Sequence, residues 1–217
     1  MPSRKINFVA GEYYHVYNRG VDKRRIFGDE EDIDRFLQSI VKFNTKEPIG
    51  SIYENSFVQD SKKKPRRLIS LIAYCLNPNH YHLIIKPRVD KGVEYFMQRL
   101  GTGYSLYFNT KYRRSGSLFQ GKFKATLIDI NEYLLHLSSY VNLNYKAHQL
   151  GGSSSKLVRS SWEEYVNPNF SKPLCEKNIV LSQFSDTKEY TDFANSALTH
   201  TLDRKKQEKE LRALLID

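Results

Sequence analysis

The stretch LISLIAYCLNPNHYHLIIKPR, residues 68–88, places His80 and His82 one residue apart at the start of an apolar run. In a β-strand, residues i and i+2 point to the same face, with Cα atoms roughly 6.5 Å apart. Two imidazoles at this spacing can share one metal ion, while Tyr81 faces the opposite way. Two histidines fall short of a four-ligand structural zinc site, but with a third protein ligand they leave coordination positions open for catalysis. The alternative is a pair of ordinary surface histidines at the end of a hairpin.

A phenol is the second group of interest, and the chain contains 15 tyrosines. On the helix predicted for residues 130–150, Tyr133, Tyr140 and Asn144 fall on one face, and Tyr140 and Asn144 are one turn apart. A tyrosine on such a face can also pack in the core with its hydroxyl hydrogen-bonded. The spacing alone does not decide between a nucleophile and a packing residue.

The elements that must position these residues follow in the order strand, helix, strand, strand, helix, strand, helix. This order predicts an α+β fold, a ferredoxin-like antiparallel sheet with helices on one face, plus one further helix. Asp129 or Asn131 is expected to cap the last helix, and residues 47–67 are expected to form a long loop. The predicted strands are 12–20, the two segments flanking Asn77-Pro78-Asn79, and 117–129, and the predicted helices are 29–46, 91–114 and 130–150.

The charge is unevenly distributed along the chain. Residues 151–217 contain ten Lys or Arg and ten Asp or Glu, so the formal net charge of +10 lies entirely within residues 1–150. A charge confined to one module produces a local field that attracts a phosphate backbone. The sequence GGSSSK at 151–156 predicts a linker, and short helices are expected after it. We therefore expect a polyanion-binding domain at 1–150 and an accessory helical region at 151–217.

Composition excludes several other classes. The two cysteines, Cys75 and Cys175, are a hundred positions apart and form no CxxC pair, which argues against a disulfide framework or a zinc ribbon. No apolar run approaches the roughly 20 residues of a membrane helix, and the first residues lack the apolar core of a signal peptide. We expect a cytoplasmic protein without a membrane span.

Four segments together resemble a known superfamily. NPNHYHLIIKP resembles the HUH motif (His, bulky residue, His) of the single-tyrosine HUH transposases, which include the IS200-like and REP-associated tyrosine transposases. YYHVYNRGVDKRRIF, GSLFQGKFKATLID and YLLHLSSYVNLN agree, in the family's order, across roughly residues 8–150. The resemblance implies the HUH endonuclease fold and a transposase.

The resemblance also implies roles for individual residues. Tyr140 corresponds to the attacking tyrosine, and His80, His82 and Asn144 correspond to the ligands of Mg²⁺ or Mn²⁺. The implied reaction is cleavage and rejoining of single-stranded DNA at hairpin-associated sites, through a 5′-phosphotyrosine intermediate that leaves a free 3′-hydroxyl. Two imidazoles would intrinsically favour Zn²⁺, Ni²⁺ or Co²⁺. REP-associated members commonly continue with LNP, whereas this chain reads Leu143-Asn144-Tyr145, so its helix can extend through Ala147.

Basic residues flank the motifs, and we expect them to contact phosphates of a DNA hairpin and its single-stranded flank. Tyr112 and Phe119 are expected either to stack on bases or to pack in the core. Lys62, Lys63, Lys64, Arg66 and Arg67 form a further basic cluster in the long loop. The predicted DNA-binding residues are Arg19, Lys23, Arg24, Arg25, Arg113, Arg114, Lys122 and Lys124.

Two other functions remain open from the sequence. One is a non-catalytic nucleic-acid-binding derivative of the same fold, and the other is a replication-type nicking enzyme. The oligomeric state is open as well, because compact family members form homodimers that exchange the tyrosine helix, whereas REP-associated members can act as monomers.

Overall fold

The structure is a computed structural model of the 217-residue chain, and it describes residues 6–50, 52, 65–147 and 156–214. Its described strands form one antiparallel sheet in the order β4-β1-β3-β2-β5. These strands are β1 (Tyr13–Arg19), β2 (Ile69–Asn77), β3 (His80–Pro87), β4 (Lys124–Ile128) and β5 (Arg159–Ser160). The helices are α1 (Glu30–Phe43), α2 (Gly92–Lys111), α3 (Asn131–Asn142), α4 (Asn144–Ala147), α5 (Trp162–Val166), α6 (Asn178–Leu181) and α7 (Thr187–Leu214), and a 3-10 turn spans Val21–Lys23.

The predicted ferredoxin-like arrangement is confirmed. Strands β4, β1, β3 and β2 lie side by side in the antiparallel sheet, and α1 and α2 cover one of its faces. On that face the Tyr81 ring packs against Phe36 of α1 at a centroid distance of 5.2 Å and against Phe119 at 5.8 Å. The opposite face carries His80 and His82, and α3 lies over it.

The start of α1 shows why this helix begins where it does. Asp29 adopts an extended conformation and its carboxylate accepts the backbone N–H of Asp32 at 3.0 Å, a standard N-cap. Ile33, Phe36 and Ile40 recur at helical spacing and are buried against the sheet. Burial of this apolar face holds α1 against one face of the sheet. The opposite face is therefore left for the histidines.

The hairpin between β2 and β3 has a two-residue turn, Pro78-Asn79. Every residue of β2 is buried, as expected for a central strand packed on both faces. The register pairs Asn77 with His80 and Cys75 with His82. Because paired residues point to the same face, Asn77 shares the histidine face.

The predicted cap of α3 is wrong. Ile130 occupies the N-cap position and makes no side-chain cap, and neither Asp129 nor Asn131 does so. The Asn131 amide instead pairs with Gln183, donating to its Oε1 at 2.6 Å and accepting at 3.1 Å. Asn131 therefore bonds to a residue of the C-terminal region instead of capping its own helix.

Two other predicted elements are shorter than expected. The helix predicted for 130–150 is interrupted at Leu143 (φ −108°, ψ 12°), and α4 continues to Ala147, while residues 148–150 lie outside the described part. The strand predicted for 117–129 covers only Lys124–Ile128. Gly121 has a φ of +74°, which an L-residue avoids and which turns the chain before β4.

The C-terminal region packs on the same sheet. β5 extends it beside β2, and the hydroxyl of Tyr165 donates to the Ile72 carbonyl at 2.8 Å. The short helices expected here are only partly present, because the chain ends in one 28-residue helix, α7, which runs along α3. The stretch between Thr187 and Leu214 contains neither Gly nor Pro, so nothing in the sequence breaks it.

Candidate active site

His80 and His82 project from β3 onto the face covered by α3. Their rings are 5.2 Å apart between centroids and perpendicular to each other. His82 is buried, with 9% of its surface exposed, whereas His80 is half-buried at the hairpin end. The predicted common face is therefore present, and Tyr81 points away from it as expected.

Each nitrogen of His80 faces an amide. Nδ1 lies 2.7 Å from Oδ1 of Asn79, and Nε2 lies 3.0 Å from Nδ2 of Asn77. Asn79 is held in turn, because its Nδ2 donates to the Lys23 carbonyl at 3.1 Å. The ring therefore has a defined orientation in the hairpin.

His82 is held by a third histidine. Nδ1 of His82 lies 2.9 Å from Nε2 of His15, the residue two positions before Tyr17 on β1. Burial lowers the pKa of His15 to about 4, so this ring is neutral at physiological pH. The Tyr17 ring also packs beside His82, with a centroid distance of 5.7 Å.

Tyr140 reaches this site from α3. Its ring meets that of His82 edge to face, with a centroid distance of 5.8 Å, and the residue is half-buried. Burial raises the pKa of the Tyr140 phenol, while the nearby Asn144 carboxamide and the Arg204 guanidinium of α7 act in the opposite direction. The phenol thus lies beside the histidines of its own chain.

Asn144 completes the group. Its Oδ1 accepts a hydrogen bond from Asn77 Nδ2 at 2.7 Å and lies 3.4 Å from His80 Nε2. The side chain is fully buried, and its Nδ2 has no hydrogen-bond partner among the described residues. A buried N–H donor without an acceptor is costly, so a group that accepts from it would be stabilised here.

A cavity of about 180 Å³ adjoins the phenol. It lies between α3 and α7, and Tyr140 contributes to its wall together with Tyr133 and Ala197. A larger cavity of about 870 Å³ lies between α1 and α2, on the other side of the sheet. Of these two cavities, the smaller one borders Tyr140, and the larger one is separated from it by the sheet.

The donor atoms suit a divalent cation. His80 Nε2 and Asn144 Oδ1 are both lone-pair atoms, and their separation of 3.4 Å is slightly longer than the roughly 3.0 Å edge of an octahedral Mg²⁺ shell. In this structure, Nδ2 of Asn77 donates hydrogen bonds to both of these atoms. No group of three His, Cys, Asp or Glu that could hold a metal ion converges within the described residues, and the Asn144 amide adds an oxygen donor beside His80.

Some of the predicted DNA-binding residues lie on the same face of the sheet. Arg19 pairs with His80, and Lys124 pairs with Tyr17, which itself pairs with His82. Paired residues share a face, so both cations flank the histidines. The Arg19 guanidinium is also hydrogen-bonded to the side chain of Gln120.

The turn after β1 brings further cations to the hairpin. The backbone N–H of Gly20 donates to Asn79 and that of Ile26 to Pro78, both at 2.8 Å. The exposed residues Lys23, Arg24 and Arg25 lie between these two anchors. Arg24 is partly engaged, because it forms an exposed ion pair with Asp22 at 3.4 Å. Lys122 is exposed in the neighbouring turn before β4.

The end of α2 fits the prediction less well. Arg113 is exposed, but the Arg114 guanidinium packs over the Phe108 ring and donates to the Ser117 carbonyl at 3.3 Å. Arg114 therefore stabilises its own loop. The two aromatic residues are also engaged, since Phe119 is buried in the core and the Tyr112 hydroxyl donates to Asp32 at 2.8 Å. Lys62, Lys63 and Lys64 lie outside the described residues.

Sequence reasoning did not find three residues of this site. His15 was visible only as part of a strand, and Asn77 and Asn79 only as turn residues. A local signal existed for the asparagines, because both are adjacent or nearly adjacent to His80. The role of His15 depends on strand pairing across 67 positions, which no local spacing reveals.

Comparison with known proteins gives the family. The sequence profile described as Transposase IS200 like matches residues 9–144. The match spans more than half of the chain, and the chain belongs to this IS200-like transposase family. The HUH type to which the family belongs is generally metal-dependent.

A solved structure agrees with the fold. The chain is similar to a REP-associated tyrosine transposase, solved bound to a REP hairpin, with a TM-score of 0.53 and 13% identity. The similarity covers 80% of this chain and 90% of that one, and at this identity it establishes the fold alone. A comparison with curated protein sequences finds no match. No helix among the described residues is long and apolar enough to cross a membrane.

Proposed function

We propose that the protein cleaves and rejoins single-stranded DNA at hairpin-associated sites, with Tyr140 as nucleophile and His80, His82 and Asn144 as ligands of a divalent metal ion. The observation that carries this proposal is the convergence of the four side chains. They come from β3, α3 and α4, and they meet on the sheet face of a transposase fold.

In the proposed reaction, the Tyr140 hydroxyl oxygen attacks the phosphorus of a phosphodiester. The bond from phosphorus to the 3′-oxygen breaks, and the 3′-hydroxyl leaves with a proton. The new bond joins the tyrosine to the 5′-phosphate, which conserves the ester for rejoining by a 3′-hydroxyl. Ionising a free tyrosine at neutral pH costs about 4 kcal/mol, and burial of Tyr140 adds to this cost.

The other residues offset that cost. A bound Mg²⁺ or Mn²⁺ would polarise the scissile phosphate and stabilise its developing charge. The Nδ2 of Asn144, which has no hydrogen-bond partner within the described ranges, can donate to an oxygen of the phosphate or of the phenolate. Asn144 would thus hold the ion through Oδ1 and the reacting group through Nδ2.

The cations define a path for the substrate. Arg19 and Lys124 flank the histidines on the sheet, and Lys23, Arg25 and Lys122 surround the hairpin end. They place positive charge on both sides of the proposed scissile position, as a bound DNA strand requires. The solved relative is bound to a REP hairpin, and we infer a hairpin-containing DNA partner for this protein too.

The proposed site is complete within one chain. Tyr140 contacts His82 of the same subunit, so cleavage requires no exchange of the tyrosine helix with a second copy. We therefore propose that the monomer is competent for cleavage. A protein whose adduct yield per subunit falls on dilution would contradict this.

The test uses hairpin oligonucleotides with a randomised single-stranded flank, so that the recognised sequence need not be known. Each is labelled at the 3′ or the 5′ end and incubated with protein and Mg²⁺ or Mn²⁺. Denaturing electrophoresis should show labelled protein with the 3′ label only, because the tyrosine retains the 5′-phosphate of the downstream fragment. Chelation of the metal should abolish the labelled protein band.

Variants then assign the residues. Tyr140→Phe should give no adduct, whereas Tyr133→Phe, on the same helix and 41% exposed, should behave like the wild type. His80→Ala should lose activity at all metal concentrations tested. An adduct in Tyr140→Phe would refute the nucleophile, and binding without any cleavage would favour the non-catalytic derivative.

A further inference from the structure

Two aromatic side chains and one lysine form a surface beside the proposed active site. Tyr145 and Trp162 are both half-buried, and Lys146 is exposed. The Lys146 ammonium lies 6.0 Å from the ring centroid of Tyr145 and 5.8 Å from that of Trp162. Because one ammonium lies close to both rings, the three residues form one surface, the aromatic patch. Aromatic rings combined with a cation are typical of surfaces that bind single-stranded nucleic acid.

Tyr145 connects the aromatic patch to the proposed metal ligands. It directly follows Asn144 in α4, and Oδ1 of Asn144 lies 3.4 Å from Nε2 of His80. Asn144 is fully buried, whereas Tyr145 keeps part of its surface exposed. The Tyr145 ring is therefore one residue away from a group that we expect to hold the metal ion.

Strand β5 places Trp162 on the same side of the sheet as the histidines. Ser160 of β5 pairs with Cys75, which pairs with His82, and paired residues share a face. Trp162 begins α5 two residues later, and its backbone N–H donates to the Ser160 hydroxyl at 3.3 Å. Its ring lies 6.2 Å from that of Tyr190 of α7, between centroids. The aromatic patch thus lies on the histidine face, beside β2 and β5.

Two of the cations described above lie on the other side of the histidines. In the strand order β4-β1-β3-β2-β5, Arg19 of β1 and Lys124 of β4 are on one side of β3, and the aromatic patch is on the other. A DNA strand that contacts Arg19 and Lys124 and continues across the histidines therefore reaches the aromatic patch.

The charge of the aromatic patch favours bases over phosphates. Lys146 supplies one positive charge, and the exposed Glu163, next to Trp162, supplies one negative charge. This balance gives little net attraction for a phosphate backbone. The face of any base, in contrast, can stack on an aromatic ring. A duplex hides these faces, so the surface suits unpaired bases.

We propose that Tyr145, Lys146 and Trp162 form a stacking subsite for unpaired bases of the DNA strand that crosses the active site. This inference rests on the proposed function, which brings a single-stranded flank to the histidine face. Both aromatic residues lie beyond residues 9–144, the part of the chain that the family profile matches. The family match therefore does not account for them.

Trp162 is the only tryptophan of the chain, so tryptophan fluorescence reports on the aromatic patch. Wild-type protein, kept metal-free to prevent cleavage, is titrated with a hairpin oligonucleotide that carries a single-stranded flank. The anisotropy of a dye on the DNA measures binding in parallel. Base stacking should quench the tryptophan emission, with the same midpoint as the anisotropy. Saturated binding with unchanged emission would overturn the proposal.

An oligonucleotide with an abasic flank separates stacking from phosphate contacts. It keeps every phosphate of the flank but has no bases that can stack on the rings. At saturation it should leave the tryptophan emission unchanged. Equal quenching by the abasic and the complete flank would contradict the proposal, because the signal would then come from the phosphates or from the hairpin.

Variants test each ring. Tyr145→Leu and Trp162→Leu each remove one ring and should weaken binding of the complete flank by about 5- to 150-fold, the effect of losing one stacked base. Tyr145→Phe and Trp162→Phe keep a ring and should bind like the wild type. Binding of the abasic flank should be equal in all five proteins, which also shows that the variants remain folded. Equal affinity of Tyr145→Leu and Tyr145→Phe for the complete flank would overturn the role of Tyr145.

Failure of this inference and failure of the proposed function are distinguishable. A wild type that forms the Tyr140 adduct, but whose emission is unchanged when DNA is bound, contradicts only the stacking subsite. A wild type whose emission is quenched by the complete flank alone, but which forms no adduct with Mg²⁺ or Mn²⁺, supports the subsite and contradicts the proposed reaction.

Discussion

The buried carboxamide of Asn142 donates to the hydroxyl oxygen of Tyr190 at 2.9 Å. Asn142 is the last residue of α3, two positions after Tyr140, and Tyr190 belongs to α7. The Asn142 oxygen also accepts from the Ser161 hydroxyl at 2.5 Å. The C-terminal region therefore fixes the end of the helix that carries the proposed nucleophile.

Replacing Tyr190 by Phe should destabilise the protein. Without the hydroxyl, the buried Nδ2 of Asn142 and Oγ of Ser138 lose a partner, which should lower the free energy of unfolding by about 1–3 kcal/mol. Urea denaturation measures this change. Tyr133→Phe is the control, because Tyr133 is 41% exposed and should lose less than about 0.5 kcal/mol. Equal losses in the two variants would show that the buried network does not stabilise α3.

Lys111 should be essential to the packing of α1 against α2. Its ammonium lies 2.9 Å from the carboxylate of Asp32, which is fully buried, and 2.8 Å from Asp29. Lys111→Met leaves a buried carboxylate without its cation and should cost about 3 kcal/mol of unfolding free energy. Lys46→Met, at an exposed position, is the matched control. The experiment contradicts this account if both variants unfold at the same denaturant concentration.

The two thiols should be unreactive in the folded protein. Burial raises the pKa of Cys75 to about 12, and it also raises the pKa of Cys175. A raised pKa favours the neutral thiol, so at pH 8 only about one Cys75 in 10,000 is a reactive thiolate. A chromogenic disulfide reagent should therefore label the cysteines only after unfolding in urea. Rapid stoichiometric labelling of native protein at pH 8 would contradict the buried positions.

The extent to which the sequence predicted this site depends on the range of each interaction. The hairpin follows from the turn residues Asn77-Pro78-Asn79, and the shared face of His80 and His82 follows from the period of a strand; both are present. The contact of His15 with His82 and the pairing of Asn131 with Gln183 join residues 67 and 52 positions apart. Neither follows from local spacing, because both depend on how the sheet and α7 pack.

The element boundaries show the same division. The helix at 130–150 was predicted from its periodicity, but its interruption at Leu143 was not. The predicted strand at 117–129 loses its first residues because Gly121 turns the chain. A loop takes the place of these residues, and its Phe119 forms an isolated β-bridge with Gly20. Apolar alternation cannot distinguish such a loop from a strand, because Phe119 is buried in either case.

The cations at the strand ends should contribute separately to DNA affinity. Lys122 and Lys124 are exposed beside the proposed site. If each contacts a phosphate, each Lys→Gln change should reduce the slope of log K against log salt concentration by roughly 0.7 on single-stranded DNA. Fluorescence anisotropy over a salt series measures the slope. Lys188→Gln on α7 removes the same charge from the neutral region and should leave the slope unchanged. An equal change in slope for Lys188→Gln would indicate that DNA affinity depends on the overall charge of the protein and not on local phosphate contacts.

The rate of adduct formation should rise with pH over a wide range. Burial raises the pKa of the Tyr140 phenol above its ordinary value near 10, so the phenolate is the minor form at pH 7–9. If the phenolate attacks, each pH unit should increase the single-turnover rate up to about tenfold, without a plateau below pH 9. Because fluorination lowers a phenol's pKa, a fluorotyrosine at position 140 should shift this profile to lower pH. A profile that is flat from pH 7 to 9, in both proteins, would mean that proton removal from Tyr140 does not limit the reaction.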